Sequence, residues 1–78
     1  MLQEIINVTE LSALILATLR GNGGWMNRRE LGLAIGRPVR LTPYDLQLID
    51  EMVEAGLVEV SQRIAGPVRK EWVYRAKG

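Results

Sequence analysis

An α+β fold, three helices followed by a two-stranded β-hairpin, is what this chain of 78 residues predicts. Three observations carry that expectation. Thr9, Asn27 and Thr42 are each a helix-capping residue type and each precedes a segment with apolar residues at helical spacing. The stretch from Leu41 to Val60 then joins a capped helix directly to an extended, β-branched segment through Gly56. Finally, two segments of strand-like composition flank Ile64-Ala65-Gly66-Pro67-Val68-Arg69, a turn by composition.

Taken in order, Leu2, Ile5 and Ile6 fall at i, i+3, i+4, so residues 1–8 read as an apolar turn or short helix. Thr9 caps a first main helix over 10–20, with Glu10 near its positive end. Leu11, Leu14, Ile15, Thr18 and Leu19 share one face, but Ala13, Leu16 and Ala17 make this helix apolar nearly all round. Such a helix is central to the core or covered by another surface. Two covers stand open: the Leu2-Ile5-Ile6 turn folding back over Leu16, or a homodimer through helix 1 and residues 2–6. Gly21-Asn22-Gly23-Gly24 is a loop. It lacks the Gly-Lys-Ser/Thr ending and the preceding strand of a phosphate-binding P-loop.

Trp25-Met26 reads as a very short third strand or an anchored extended turn. Asn27 with Glu30 has capping-box spacing and opens a helix over 28–35, which Gly36 ends. Thr42 caps the third helix over 43–55, Pro43 fits its first position and Asp45 complements its dipole. Leu46, Leu48, Ile49, Met52, Val53 and Ala55 cover about half of its circumference at about 100° per residue. Gln47, Asp50, Glu51 and Glu54 occupy the other half, with Tyr44 at its edge. Strands over 57–63 and 70–76 complete the domain of residues 9–76, leaving a tail at 77–78. Trp72 and Tyr74 share a face, which is expected to pack inward with Val58 and Val60. Trp25 is expected in the core, because a chain without Phe needs its indoles inside.

Composition narrows the function classes. Hydrophobic residues are 47% and charged residues 24% of the chain, as in folded domains rather than disordered ones. There is no Cys and no His, which removes thiol chemistry, disulfides, imidazole catalysis and the usual zinc sites. The clustered carboxylates lie on an exposed helix face with nothing to bury them for acid–base work. The expectation is a non-enzyme with no catalytic residues, cofactor or metal. No run of about 18 apolar residues suggests a membrane span. The opening Met-Leu-Gln-Glu-Ile-Ile lacks a signal peptide's basic start and cleavage site, so a soluble cytoplasmic protein is expected.

The net charge of +1 conceals a strong division along the chain. Residues 1–19 carry −2, residues 20–41 carry +4, residues 42–59 carry −5 and residues 60–78 carry +4. Two basic blocks therefore flank one acidic helix.

The order helix, short strand, helix, turn, helix, hairpin over residues 9–76 resembles the winged helix-turn-helix superfamily. The Gly-Leu-Val-Glu-Val that ends helix 3, the Arg/Gly/Pro wing and the aromatic closing strand are similar to many bacterial and phage regulators. The resemblance implies double-stranded DNA as partner and a role as a small transcriptional regulator or a DNA-associated accessory protein. In that family, helix 3 enters the major groove and basic wing residues touch phosphate or the minor groove. The matching positions here are Thr42, Tyr44 and Gln47 in the first turn of helix 3 and Arg63, Arg69 and Lys70 in the wing. Arg28 and Arg29 lie at a helix start where the family often grips phosphate, and Arg40 precedes helix 3. Arg28 and Arg29 also fit a plain solvated helix face, and Arg69 and Lys70 fit charges that protect an edge strand.

One departure from the family pattern stands out. The polar face of helix 3 offers Asp50, Glu51 and Glu54 without a Lys or Arg, and carboxylates repel phosphates. Either only the first turn of the helix approaches DNA, or the domain docks a basic protein partner on Asp50, Glu51 and Glu54.

Overall fold

The last strand of the chain lies in the middle of the sheet. In a computed structural model, which describes the backbone of residues 2–77 and the side chains of residues 10–77, the elements follow in order. They are α1 (Leu2–Asn22), β1 (Met26–Asn27), α2 (Arg28–Ala34), α3 (Pro43–Glu54), β2 (Val58–Ile64) and β3 (Lys70–Ala76). The three strands form one antiparallel sheet in the order β1-β3-β2. Three helices and this sheet make the α+β architecture that the caps and the turn predicted.

The predicted α2 and α3 match within a residue or two, because local chemistry decides them. Asn27 and Glu30 form a complete capping box, and so do Thr42 and Asp45, with Pro43 in the first turn of α3. Both helices end in the same way. Gly36 and Gly56 adopt φ of 90° and 79°, the left-handed region that a side chain disfavours. Arg37 N–H donates to Gly32 C=O and Leu57 N–H to Met52 C=O, while the two glycine N–H groups donate to Leu33 and Val53. These are paired Schellman closures.

The first helix corrects the sequence reading. α1 runs without a break from Leu2 to Asn22, so Thr9 lies inside a helix and caps nothing. Apolar residues on both sides of Thr9 continue the helical spacing, and that continuity outweighs its capping preference. The turn of residues 2–6 is part of the same helix and does not fold back over Leu16. Whether its side chains cover a partner lies outside the described side chains. Farther along, Ile15 and Leu19 are buried a turn apart, Leu11 and Leu16 pack partly against the core, and Leu14 remains 46% exposed.

The core gathers Ile15 and Leu19 from α1, Leu31 from α2, Leu41 from the turn, Ile49 and Met52 from α3, and Met26, Val58 and Tyr74 from the sheet. The short strand is displaced by one residue from its expected place at 25–26, with Met26 opposite Tyr74 and Asn27 opposite Val73. This register buries Met26 and leaves Trp25 at the margin, where the Arg75 guanidinium lies 4.4 Å from its ring centroid. Trp25 is thus a half-buried cation–π partner rather than a core residue. No helix among the described residues is long and apolar enough to cross a membrane.

The hairpin departs further from expectation. Trp72 and Tyr74 do share a face with Val58 and Val60, but only its base is covered. Tyr74 is 1% exposed and Val58 2%, whereas Val60 is 38% and Trp72 43% exposed. The expected inward packing of Trp72 and Val60 fails because the helical layer stops short of the outer half of the hairpin.

Candidate nucleic-acid interface

The turn between α2 and α3 sets the geometry of the basic surface. Gly32 has no Cβ, and one built there would stand 3.3 Å from Leu41 N and 3.5 Å from Arg40 C. α2 therefore lies directly against the backbone that enters α3. Arg37 clamps the same turn: its Nε and Nη2 donate to the Asp45 carboxylate at 2.8 and 2.6 Å. Asp45 is fully buried, and it also accepts from Thr42 N–H at 2.9 Å while its own N–H donates to Thr42 Oγ1 at 3.1 Å. The hydrogen bonds from Arg37 hold the Asp45 carboxyl below the usual carboxylate range, with burial opposing and Thr42 assisting. The same bonds raise the Arg37 guanidinium further above its ordinary value, again against burial.

Held in this way, the starts of α2 and α3 border a cleft of about 530 Å³ lined by Arg28, Arg40, Leu41, Pro43 and Leu46. Arg28 Nε donates to Tyr74 Oη at 3.0 Å, which fixes the arginine, and no acid among the described side chains pairs with it. Arg40 is exposed on the facing wall, and Arg29 is exposed beside Arg28. Two of the arginines expected to meet phosphate are thus brought to one cleft.

The remaining predicted contacts divide. Thr42 uses its hydroxyl in the cap. Tyr44 is half exposed on the first turn of α3, and Gln47 is exposed with its amide donating to Glu51 at 3.4 Å. Arg69 and Lys70 are exposed at the outer end of the hairpin, and no acid among the described side chains pairs with them. Arg63 is different: its guanidinium bonds Glu71 at 2.7 Å and lies 3.6 Å from Glu30. Its charge is spent within the domain.

The pairing register explains why. Arg63 stands opposite Glu71 and Glu59 opposite Arg75, so both directly facing pairs become ion pairs on one face of the hairpin. Between them Val73 is buried, out of phase with the core face. The other face carries Val60, Gln62, Ile64, Lys70 and Trp72 and holds no carboxylate. Sequence reasoning missed this division. Alternation alone places Glu59 with Arg63 and Glu71 with Arg75, and the register between the strands was needed to pair them. It also missed the Arg37–Asp45 clamp, whose only local signal was the Thr-x-x-Asp spacing of a capping box.

A second basic cleft, of about 390 Å³, lies at the C-terminal end of α1, where Arg20, Arg75 and Lys77 surround Gly23 and Gly24. Arg75 there is paired with Glu59. Among the described residues, no three acidic side chains gather where they would hold a metal ion. Comparison with models of known families, with curated proteins and with solved structures finds no match to this chain.

Proposed function

We propose that the chain is a DNA-binding domain of winged-helix type, serving as a small transcriptional regulator or a DNA-associated accessory protein. The hairpin acts as the wing and α3 as the helix nearest the groove. The observation that carries this reading is the distribution of uncompensated charge. Among the described side chains, Arg28, Arg29, Arg40, Arg69 and Lys70 have no acid partner, and they border α2, the entry to α3 and the hairpin tip. Arg37, Arg63 and Arg75 are neutralised inside the domain. Cations left free on a small domain favour a polyanion, and affinity should then fall with salt by roughly 0.9 log units per phosphate contact per log unit of salt. Tyr44 and Gln47 are the side chains of α3 best exposed near this surface to meet base edges.

The test is a mobility-shift assay on random-sequence duplex at about 50 mM and about 200 mM salt. Binding at low salt that weakens steeply at high salt supports the reading. Absence of binding at low salt overturns it.

A second reading has its own support. Asp50, Glu51 and Glu54 are exposed along α3 without a cation partner among the described residues, so a basic protein segment fits there. Beside this acidic row runs an apolar groove lined by Ala13, Leu16, Leu48, Met52 and Leu57. That groove also supports pairing of two copies through α1. Sedimentation that reports a monomer at high micromolar concentration would exclude the dimer.

A further inference from the structure

We propose that the uncovered face of the hairpin is a stacking site for unpaired nucleobases, centred on Trp72. The proposal rests on the DNA-binding reading and narrows it to DNA with a single-stranded segment or end.

The argument begins with the asymmetry of the hairpin. On one face, Glu59–Arg75 and Arg63–Glu71 satisfy each other and leave no charge to offer. On the opposite face, exposure rises steadily away from the core, from Tyr74 at 1% to Trp72 at 43%, and from Val60 at 38% to Ile64 at 78%. An indole left half open in a chain with two Trp and no Phe forgoes burial that so small a core would gain from. Gln62 stands directly opposite Trp72 and supplies an amide that can both donate and accept.

Charge then selects the occupant. This face of the hairpin has no carboxylate, while Lys70 lies on it two residues before Trp72. Arg28 reaches the same face at Tyr74 Oη, two residues beyond Trp72. An aromatic surface between two cations that no acid among the described side chains neutralises is matched by a planar, apolar group on an anionic backbone. A nucleobase with its flanking phosphates has that form, and stacking on an aromatic side chain does not depend on which base is present. Bases in a continuous duplex hide their faces, so the site requires an unpaired base. A second copy of the chain is a poorer match, because it would set the same cations against each other.

The experiment uses the full chain with W25F, which leaves Trp72 as the sole indole. Its emission is followed on adding oligothymidylate, a blunt duplex, or that duplex with a single-stranded overhang, all at low salt. Stacking should quench Trp72 with oligothymidylate and with the overhang, and much less with the blunt duplex. W72L should weaken binding of both by about tenfold or more, while W72F, which retains a ring, should stay near the parent. Binding of the blunt duplex should be unaffected by either. If all DNAs bind but W72L and W72F behave alike and Trp72 is not quenched, the stacking site is overturned and the DNA-binding reading stands. If no DNA binds at low salt, both fall. If Trp72 emission changes with protein concentration alone, self-association covers this face and the proposal fails.

Discussion

Arg37 and Asp45, eight residues apart, meet in a two-pronged ion pair whose carboxylate is fully buried and whose guanidinium reaches solvent. The pair fastens the turn before α3 to the first turn of that helix. Asp45→Ala removes the pair and half of a capping box together. It should cost about 3 kcal/mol, as charge-assisted hydrogen bonds of roughly 1.5–3 kcal/mol and a helix cap of roughly 1 kcal/mol are lost together. Thermal melting followed by circular dichroism should show a loss well beyond 10 °C, at roughly 4–8 °C per kcal/mol for a domain of this size.

The same pair sets an acid limit to stability. Because folding lowers the Asp45 pKa, its contribution is complete above the unfolded value of about 3.9. It is lost as pH falls through the lower folded value. Urea midpoints of the parent should therefore fall between about pH 5 and about pH 2, and Asp45→Asn should fall less over the same range from a lower start. Arg37, with its pKa raised, stays charged throughout and adds nothing to this dependence. Equal slopes in the two proteins would show that Asp45 does not carry the effect.

The hairpin cations should separate by function. Arg69→Ala with Lys70→Ala should weaken binding to every duplex alike and lower the salt dependence by roughly two units of log–log slope, one per lost phosphate contact. Arg63→Ala should leave binding nearly unchanged, since Glu71 and Glu30 already hold that charge. An equally large effect of Arg63→Ala would remove the distinction between paired and free cations.

On α3, Glu51→Gln with Glu54→Gln removes two exposed carboxylates that no cation among the described residues balances. Non-specific duplex binding should tighten, and more so at low salt, where repulsion is least screened. Loss of binding to a basic peptide, with no change toward DNA, would instead favour the protein-docking reading.

Gly56 joins α3 to β2 at a φ of 79° with open space around its α-carbon. Gly56→Ala therefore meets no clash and tests backbone strain alone. A cost of about 1–2 kcal/mol is expected, measurable as a shift in urea midpoint without a change in slope.

What could be read ahead of the structure follows the range of each interaction. The caps at Asn27 and Thr42 and the closures at Gly36 and Gly56 depend on residues within a turn, and all four were legible. Thr9 has the same capping chemistry but sits within a continuous apolar helix, and its type alone does not reveal that. Alternation correctly placed Trp72 and Tyr74 on one face. It carries no information on how far the helices extend over that face, so their different burial was not foreseeable. The Arg28 and Arg40 cleft depends on the close approach of α2 at Gly32 to the Arg40–Leu41 backbone, a contact between backbones that leaves no side-chain pattern. The neutralisation of Arg63 required a register set by residues far apart in the chain.

The position of β3 between β1 and β2 has a consequence for the order of synthesis. β1 is made early, yet its only partner strand, beginning at Lys70, is separated from it by two helices and another strand. A nascent chain ending before that point can form α1, α2 and α3 but has no sheet, and Met26 has no Tyr74 opposite it. Core closure must wait until the last strand leaves the ribosome. Until then the apolar faces of all three helices depend on speed of emergence, or on a chaperone, for protection from other chains.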